Sequence, residues 1–339
     1  MFLLASGEIA KNDIILAMRI SVLVMDGVID VGLASILDAF QMANVLDEPA
    51  QGETSFEVQL IGMKRSVTTR QGLRLGVRSS LKGHNPEVLV IPGLNACTPE
   101  ALLPTLARED VQASARFAAC CHQSGSTIAT ACTGTFVVAE SGILNGKEAT
   151  TTWWLAPLFR KRYPLVHLED ARMVVQSGKV VTAGAALGHL DLALSIIRRQ
   201  RPALACSVAK YLVIEPHRSE ALFAIADHLA HEDPIVERFE KWARRHSSDT
   251  FSLSAAARAV SCSERTLSRR TQLVLGKSPL QFVQSIRVER ALHQIRSTTS
   301  NIDEIAQNVG YGDGNTLRTL IRRETGFTVR HIRELLSNR

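Results

Sequence analysis

The amino-acid sequence predicts a chain of two fold classes, an α/β domain followed by an all-α domain. Residues 19–200 alternate between short apolar strands and amphipathic helices, which is typical of a mostly parallel sheet flanked by helices on both faces. From residue 235 onward every apolar pattern has helical spacing. Within that second part, residues 253–276 and 302–326 are two versions of one unit, and the unit has the pattern of a helix-turn-helix.

The first domain is predicted to span residues 18–202, after an N-terminal extension of residues 1–17. Its expected elements follow in this order: strand 20–25, helix 32–46, strand 55–61, strand 87–93, helix 111–122, strand 126–132, helix 134–144, hairpin 173–183 and helix 185–201. A sheet of this type places its functional loops at the carboxyl ends of the strands. Residues 203–234 combine prolines with helical spacing, so we expect a helical linker there, before a second domain at 235–339.

The repeat in the second domain keeps both its apolar positions and its terminal glycine. Leu267 and Leu317 are 50 residues apart, as are Gly276 and Gly326. Before the turn the offset is 49 residues, so the second turn is one residue longer than the first. Agreement at so many positions is hard to obtain by chance and indicates two related units.

The second helix of each unit is the part that enters a DNA major groove. Ser263 is a good N-cap for a first reading helix at 264–273, with Leu267 facing inward; Leu317 and Ile321 hold the second. The candidate DNA contacts on the other faces are Arg265, Thr266, Ser268, Arg269 and Gln272, then Asn315, Thr316, Arg318, Thr319 and Arg322. A helix over 278–292 separates the units, and entry into successive grooves needs a spacing of about 34 Å. For each of these side chains the sequence leaves three alternatives: a contact to a base, a contact to a phosphate, or a side chain that is only solvated.

Charge is unevenly placed along the chain. From residue 241 to the end there are 17 Lys and Arg against 8 Asp and Glu, whereas the whole chain has 39 against 33. Most of the C-terminal cations are arginine, which suits bidentate contacts to guanine or phosphate. A basic second domain on a slightly acidic first domain predicts a polyanionic partner for the second domain, although a basic surface without a partner is the alternative.

Several classes of protein and site are disfavoured by the sequence. Its six cysteines form no Cys-x-x-Cys pair and its histidines have no zinc spacing, so we expect reduced thiols, no metal and no cofactor. The N-terminus lacks the basic and apolar regions of a signal peptide, and no run of about 18 apolar residues is present. We therefore expect a cytoplasmic protein without a membrane partner.

The second domain resembles the AraC/XylS family of transcription regulators over about 100 residues. The residues that carry the resemblance are Leu253, Ala257, Ser263, Arg265, Leu267, Arg269, Gly276, Ser278, Pro279, Ile286, Arg287, Glu289, Ala291, Ile305, Ala306, Val309, Gly310 and Tyr311. The resemblance implies a sequence-specific regulator of double-stranded promoter DNA, with RNA polymerase as a further partner. The chain departs from the family at Thr319, where an arginine is usual. A structural nucleoid protein without a preferred site is a weaker alternative.

In the first domain, residues 127–135 run from a strand directly into a helix, with Cys132 at the corner. This is the geometry of a nucleophile elbow, and a helix N-terminus favours a thiolate. Catalysis would also need a base within hydrogen-bond reach. Cys132 therefore has three open roles: a nucleophile, a contact for a small effector, or a small buried apolar side chain. The residues expected to line the cavity are Asp26, Gly27, Asn95, Cys132, Thr133 and Thr152.

The first domain resembles the PfpI and class I glutamine amidotransferase-like fold over about 180 residues. The resemblance is carried by residues 91–93, the Cys132 corner, and residues 142–146, 150–153 and 183–191. Enzymes of this fold often have His directly after the Cys, where this chain has Thr133. GlxA-type regulators, which join this fold to an AraC-type domain, usually have His before the Trp, where this chain has Thr152.

These departures favour a domain without catalytic activity. His122, His167 and His189 are expected to be surface or packing residues. We expect an activator that responds to a small effector. The resemblance to an amidotransferase-like domain implies a homodimer, and the resemblance to GlxA-type regulators implies that the effector is a nitrogenous metabolite. The alternative function is a Cys132-dependent hydrolase or amidase that carries a DNA-binding domain.

Overall fold

The computed structural model describes residues 17–47, 55–79, 81, 83–170, 172–213, 233–298 and 300–337. It confirms the predicted fold class, a mostly parallel sheet between helices followed by a helical domain. The strands are β1 (Met18–Leu23), β2 (Phe56–Ile61), β3 (Ser66–Thr68), β4 (Arg74–Gly76), β5 (Val88–Ile91), β6 (Thr127–Ala131), β7 (Glu148–Ala149), β8 (His167–Leu168), β9 (Val174–Ser177) and β10 (Val180–Ala183). The helices of the first domain are α1 (Asp30–Leu46), α2 (Pro99–Ala107), α3 (Glu109–Gln123), α4 (Gly134–Glu140), α5 (Ala156–Arg162), α6 (Gly188–Gln200) and α7 (Pro202–Tyr211), with a 3-10 turn at Trp153–Leu155.

The main sheet has six strands in the order β2-β1-β5-β6-β10-β9. All neighbours pair in parallel except β9, which forms an antiparallel edge with β10. Apolar side chains of α1, α6 and α7 cover one face of the sheet, and those of α2 to α5 cover the other. The carboxyl ends of β1, β5 and β6 therefore lie side by side at the centre of one edge, where the chain places Gly27, Gly93 and Cys132.

Two segments of the predicted domain organisation lie largely outside the described residues. Apart from Ala17, the predicted N-terminal extension lies outside them, and so do residues 214–232 of the predicted linker. The first residues of that linker form α7, whose Leu204 and Val208 are buried in the core of the first domain. The domain boundaries stay predictions.

The second domain is helical throughout its described residues. Its helices are α8 (Pro234–Arg245), α9 (Leu253–Ala259), α10 (Glu264–Leu275), α11 (Pro279–Ser297), α12 (Ile302–Asn308), α13 (Gly314–Thr325) and α14 (Val329–Ser337). The helix pairs α9–α10 and α12–α13 are the two predicted units. Helix α11 belongs to both, because its first half packs into the core of the first unit and its second half into the core of the second.

The terminal glycine of each unit is required by the backbone. Gly276 and Gly326 have φ angles of +68° and +76° and end α10 and α13 in the left-handed conformation, which costs other residues free energy. Ser278 caps α11, and its side chain and that of Gln281 form a reciprocal capping box ahead of Pro279. The local signals that predict the repeat therefore also determine where its helices stop.

The second turn packs against the connection between α8 and α9. Its Gly310 has φ +90°, and a methyl group there would lie 2.5 Å from the carbonyl oxygen of Ser248. Beside this contact, the buried Arg287 of α11 donates from Nε to the carbonyl of Ser247 and from Nη2 to that of Asp249, both at 2.6 Å. Its guanidinium also lies 4.9 Å from the ring centroid of Tyr311. These contacts fix the second unit against the segment that leads into the first.

Candidate functional site

The two reading helices expose equivalent faces. In α10, Leu267 is fully buried while Arg265, Arg269 and Gln272 are exposed, and Thr266 and Ser268 are half-buried. In α13, Leu317 and Ile321 are fully buried. The exposed residues of α13 are Asn315, Thr316, Arg318, Thr319 and Arg322. Each predicted DNA contact thus lies on the accessible side of its helix, where a DNA groove can reach it.

The N-termini of the reading helices are capped differently. Ser263 Oγ accepts a hydrogen bond from the backbone N–H of Thr266 at 3.1 Å. In the second unit Asp313 caps the helix, accepting from the N–H groups of Asn315 and Thr316 at 2.8 and 2.9 Å. These bonds, that of Thr316 first, lower the pKa of Asp313. The sequence patterns above did not identify Asp313 as a cap, although an acidic residue one position before a helix is a recognisable capping signal.

Not every arginine of the reading helices is available for DNA. Arg270 donates to Asp233 at 2.6 Å and ties α10 to the start of α8, so its role is structural. Arg318 donates to the Asn315 side chain at 2.9 Å, which orients both on the surface of α13. Arg265 and Arg269 lie four residues apart on the exposed face of α10 and point to the same side.

The second candidate site is the elbow at the carboxyl ends of β1, β5 and β6. Cys132 has φ +56°, a conformation rare outside glycine, and its side chain is 1% exposed. A methyl group on Gly93 would lie 3.1 Å from Cys132 Cβ, so the loop after β5 packs directly on the corner. Gly134 starts α4 where a methyl would lie 2.5 Å from the carbonyl oxygen of Ile91.

The predicted cavity residues come together at this edge, but they divide into an outer and an inner group. Gly27 accepts a hydrogen bond from the N–H of Asn95 at 2.7 Å, and Asn95 is exposed. Cys132, Thr133 and Thr152 are buried. Thr152 follows Thr151, whose hydroxyl donates to the carbonyl of Cys132 at 2.8 Å.

Asp26, at the outer rim, is already engaged. Its carboxylate accepts from Lys64 at 2.6 Å and from the N–H of Thr68 at 2.9 Å. The hydrogen bond from Lys64 is the main cause of a lowered pKa for Asp26. Arg108 donates to the Asp26 carbonyl at 2.9 Å. Asp26 is therefore an ionised acceptor paired with a cation, which does not suit the role of a general base.

The backbone amides beside Cys132 also have partners within the chain. The N–H of Leu94 donates to the Thr133 hydroxyl at 2.7 Å, and this hydroxyl donates to the Leu94 carbonyl at 2.8 Å. The N–H of Gly93 donates to His189 Nε2 at 2.9 Å. Amides of this kind could stabilise an oxyanion only if they were free to point at a substrate. In this arrangement they hold the loop after β5 in place.

His189 is a packing residue with both ring nitrogens in use. Because Nε2 accepts from Gly93, Nδ1 carries the proton and donates to the Ala186 carbonyl at 2.6 Å. The ring also fills the space beside Gly32, where a methyl would lie 2.8 Å from it. Burial lowers the pKa of His189 to about 4. A neutral, doubly bonded imidazole of this kind is not a base poised near neutral pH.

Within the described residues, none of the helices combines the length and the hydropathy that a membrane span requires. In the same part of the chain, no group of three or more His, Cys, Asp or Glu side chains is placed to hold a metal ion.

Comparison with known families accounts for both domains. The sequence profile of the DJ-1/PfpI family matches residues 18–199, more than half of the chain. The profile described as a helix-turn-helix domain matches residues 256–335. The resemblances predicted from the sequence, to an amidotransferase-like domain and to an AraC-type helix-turn-helix domain, are confirmed.

Individual relatives match only part of their own length. The HTH-type transcriptional regulator CdhR of Pseudomonas aeruginosa is 23% identical over 193 residues, covering 56% of this chain and 57% of the relative. The HTH-type transcriptional activator RhaS of Enterobacter sp. (strain 638) is 30% identical over 111 residues, covering 33% and 40%. This chain thus spans about half the length of the curated relatives it matches.

Solved structures are matched over nearly their whole length, but over little more than half of this chain. The crystal structure of an AraC family transcriptional regulator from Pseudomonas putida has a TM-score of 0.48 at 19% identity, over 57% of this chain and 99% of that one. That of Drosophila melanogaster DJ-1beta has a TM-score of 0.46 at 17% identity, over 59% of this chain and 100% of that one.

Proposed function

The chain belongs to the DJ-1/PfpI family and carries a second, helix-turn-helix domain, and from this premise we propose that it is a sequence-specific regulator of transcription. The observation that carries the proposal is the pair of capped helices α10 and α13, which present the predicted DNA contacts on accessible faces while Leu267 and Leu317 are buried. Helix α11 joins both units, and we expect them to engage one duplex in successive major grooves. The relatives named as transcriptional regulators support this assignment.

We propose further that the first domain senses a small metabolite at the elbow. The carboxyl ends of β1, β5 and β6 meet there, which is where sheets of this class bind ligands. The expected effector is nitrogenous, the expected state is a homodimer in the cytoplasm, and the expected response is activation through RNA polymerase. A dimer would add affinity by presenting paired reading domains to paired sites.

The first test concerns Arg269. Replacing Arg269 with alanine is expected to weaken binding to the cognate duplex by about 5- to 150-fold, because a bidentate contact to a base contributes about 1–3 kcal/mol of discrimination. The loss should shrink on duplexes changed at the base that Arg269 reads. The measurement is a titration of labelled duplexes, selected in vitro by the wild-type chain, at fixed salt concentration.

Arg270→Ala is the matched control, because it removes the adjacent arginine, whose guanidinium is held by Asp233. The affinity of Arg270→Ala for DNA should fall by the same factor on every duplex, and only to the extent that the substitution destabilises the second domain. A uniform loss for Arg269→Ala would assign that residue to a phosphate. Failure of the wild-type chain to select any sequence would refute sequence-specific regulation and leave the nucleoid alternative.

A second test separates a sensor domain from a hydrolase. We propose that the first domain does not turn over amides or esters, because the amides of Gly93 and Leu94 are engaged by His189 and Thr133. The strained Cys132 corner is the observation that favours the alternative. Para-nitroanilide and para-nitrophenyl ester probes should therefore give the same rates with wild type and Cys132→Ala. A rate that disappears in the variant would establish the hydrolase.

A further inference from the structure

One helix of the first domain packs against the first reading helix. Helix α5 contacts α10 near the C-terminal end of α10. A methyl group placed on Gly276 would lie 2.5 Å from Nε and Cζ of Arg160. The guanidinium of Arg160 therefore lies against the backbone of the glycine that terminates α10. The exposed residues Arg265 and Arg269 are left uncovered by this contact.

The Arg160 side chain is held in its place by a second residue. Its Nη2 lies 2.7 Å from Asp170 Oδ2, and the two side chains are only 15% and 22% exposed. A shielded charge pair of this kind is restrained more firmly than a surface pair. Arg160 is therefore a fixed support against Gly276 rather than a freely moving surface cation.

Helix α5 is also joined to the elbow at both of its ends. At its C-terminal end Arg162 Nε donates to Glu140 at 2.7 Å, and the hydroxyl of Tyr163 donates to the same carboxylate. Glu140 is the last residue of α4, the helix that begins directly after the Cys132 corner. At its other end α5 continues the segment in which Thr151 donates to the carbonyl of Cys132.

We propose that α5 couples the elbow to the first reading helix. In this proposal Arg160 is the positioning residue, because its guanidinium packs against Gly276. The proposal rests on the proposed function, since it concerns how the first domain acts on DNA binding. A displacement at the elbow would move α5 through Glu140 and Thr151, and Arg160 would pass that displacement to α10. Because α10 and α13 must fit two grooves at once, a small change in α10 alters the affinity of the whole domain. Coupling of this kind requires packed elements, which the contacts above provide.

The test is a double-mutant cycle in the full-length chain. Glu140→Gln, which loosens the link between α4 and α5, should change the dissociation constant for a duplex selected by the wild-type chain by about 2- to 30-fold. In an Arg160→Ala background the same change should have less than about a two-fold effect. Lys161→Ala removes the neighbouring exposed cation of α5 and should leave the effect of Glu140→Gln intact.

Hydrogen exchange supplies a readout that needs no DNA. The Gly276 amide, which bonds to the Gln272 carbonyl, should exchange at least about three-fold faster in Arg160→Ala. The equivalent Gly326 amide at the end of α13 is the internal reference and should not change. Thr151→Val replaces Glu140→Gln in the cycle if the latter does not fold.

Additive effects in the cycle, or unchanged exchange at Gly276, would overturn the coupling. A wild-type chain that selects no duplex would refute the proposed function instead, and the exchange measurement would still decide whether Arg160 supports α10. The two failures are therefore distinguishable.

Discussion

Replacing Arg287 with alanine is expected to lower the free energy of unfolding of the second domain by about 2–4 kcal/mol. Arg287 is 6% exposed and bonds two carbonyls of the connection between α8 and α9 while stacking on Tyr311 in the second turn. Its loss removes two charge-assisted hydrogen bonds and a cation–π contact together. The measurement is chemical denaturation followed by circular dichroism.

The same substitution should weaken DNA binding by more than about ten-fold under conditions where the variant is still folded, because the two reading helices lose a fixed separation. Arg290→Ala is the control, since Arg290 is exposed on α11 and donates to the Ser247 hydroxyl and the Arg244 carbonyl without stacking on the second turn as Arg287 does. Arg290→Ala should lower the free energy of unfolding by less than half as much as Arg287→Ala does. Equal losses for the two variants would show that Arg287 does not join the units.

Lowering the pH from 6.5 to 4 is expected to remove about 3 kcal/mol of stability through His189 alone. The unfolded chain protonates this imidazole near pH 6.5, whereas the folded chain resists protonation until about pH 4. The unfolded state therefore binds more protons across this interval, and stability falls as pH falls. Protonation would also place a donor on Nε2, which must accept from Gly93.

The control for this prediction is a side chain that does not titrate. His189→Gln should be less stable than wild type at pH 7, but the difference should narrow by about 3 kcal/mol as the pH approaches 4. Burial also lowers the pKa of His84 and His122, so the informative quantity is the difference between the two proteins. If the difference in the free energy of unfolding between wild type and His189→Gln stays constant from pH 7 to 4, the lowered pKa of His189 is contradicted.

The DNA-reading helices are predictable because their signals are local. A serine cap, an inward leucine and a terminal glycine lie within one helix length, and the leucine and the glycine repeat 50 residues later. The elbow is predictable for the same reason, since a strand runs directly into a helix at Cys132. Asp313 lies just as close to its helix and could have been found by the capping rule.

A local sequence pattern does not predict which distant residues these elements contact. His189 bonds Gly93 across 96 residues of chain, and Arg287 bonds Ser247 across 40. Arg270 carries the same charge as Arg269, yet it pairs with Asp233 of a distant segment. A residue type and a spacing do not say which distant group a side chain will meet, because that depends on how the elements pack.

The sequence by itself determined two fold classes, a repeated helix-turn-helix and a cysteine at a strand–helix corner, because hydrophobic period and capping act over a few residues. Only the tertiary structure decided that the amides beside Cys132 are engaged, that Gly310 packs on Ser248, and that Arg160 reaches Gly276. The physical reason is that a polar group in the interior must find a partner, and the partner is chosen by the packing of distant segments.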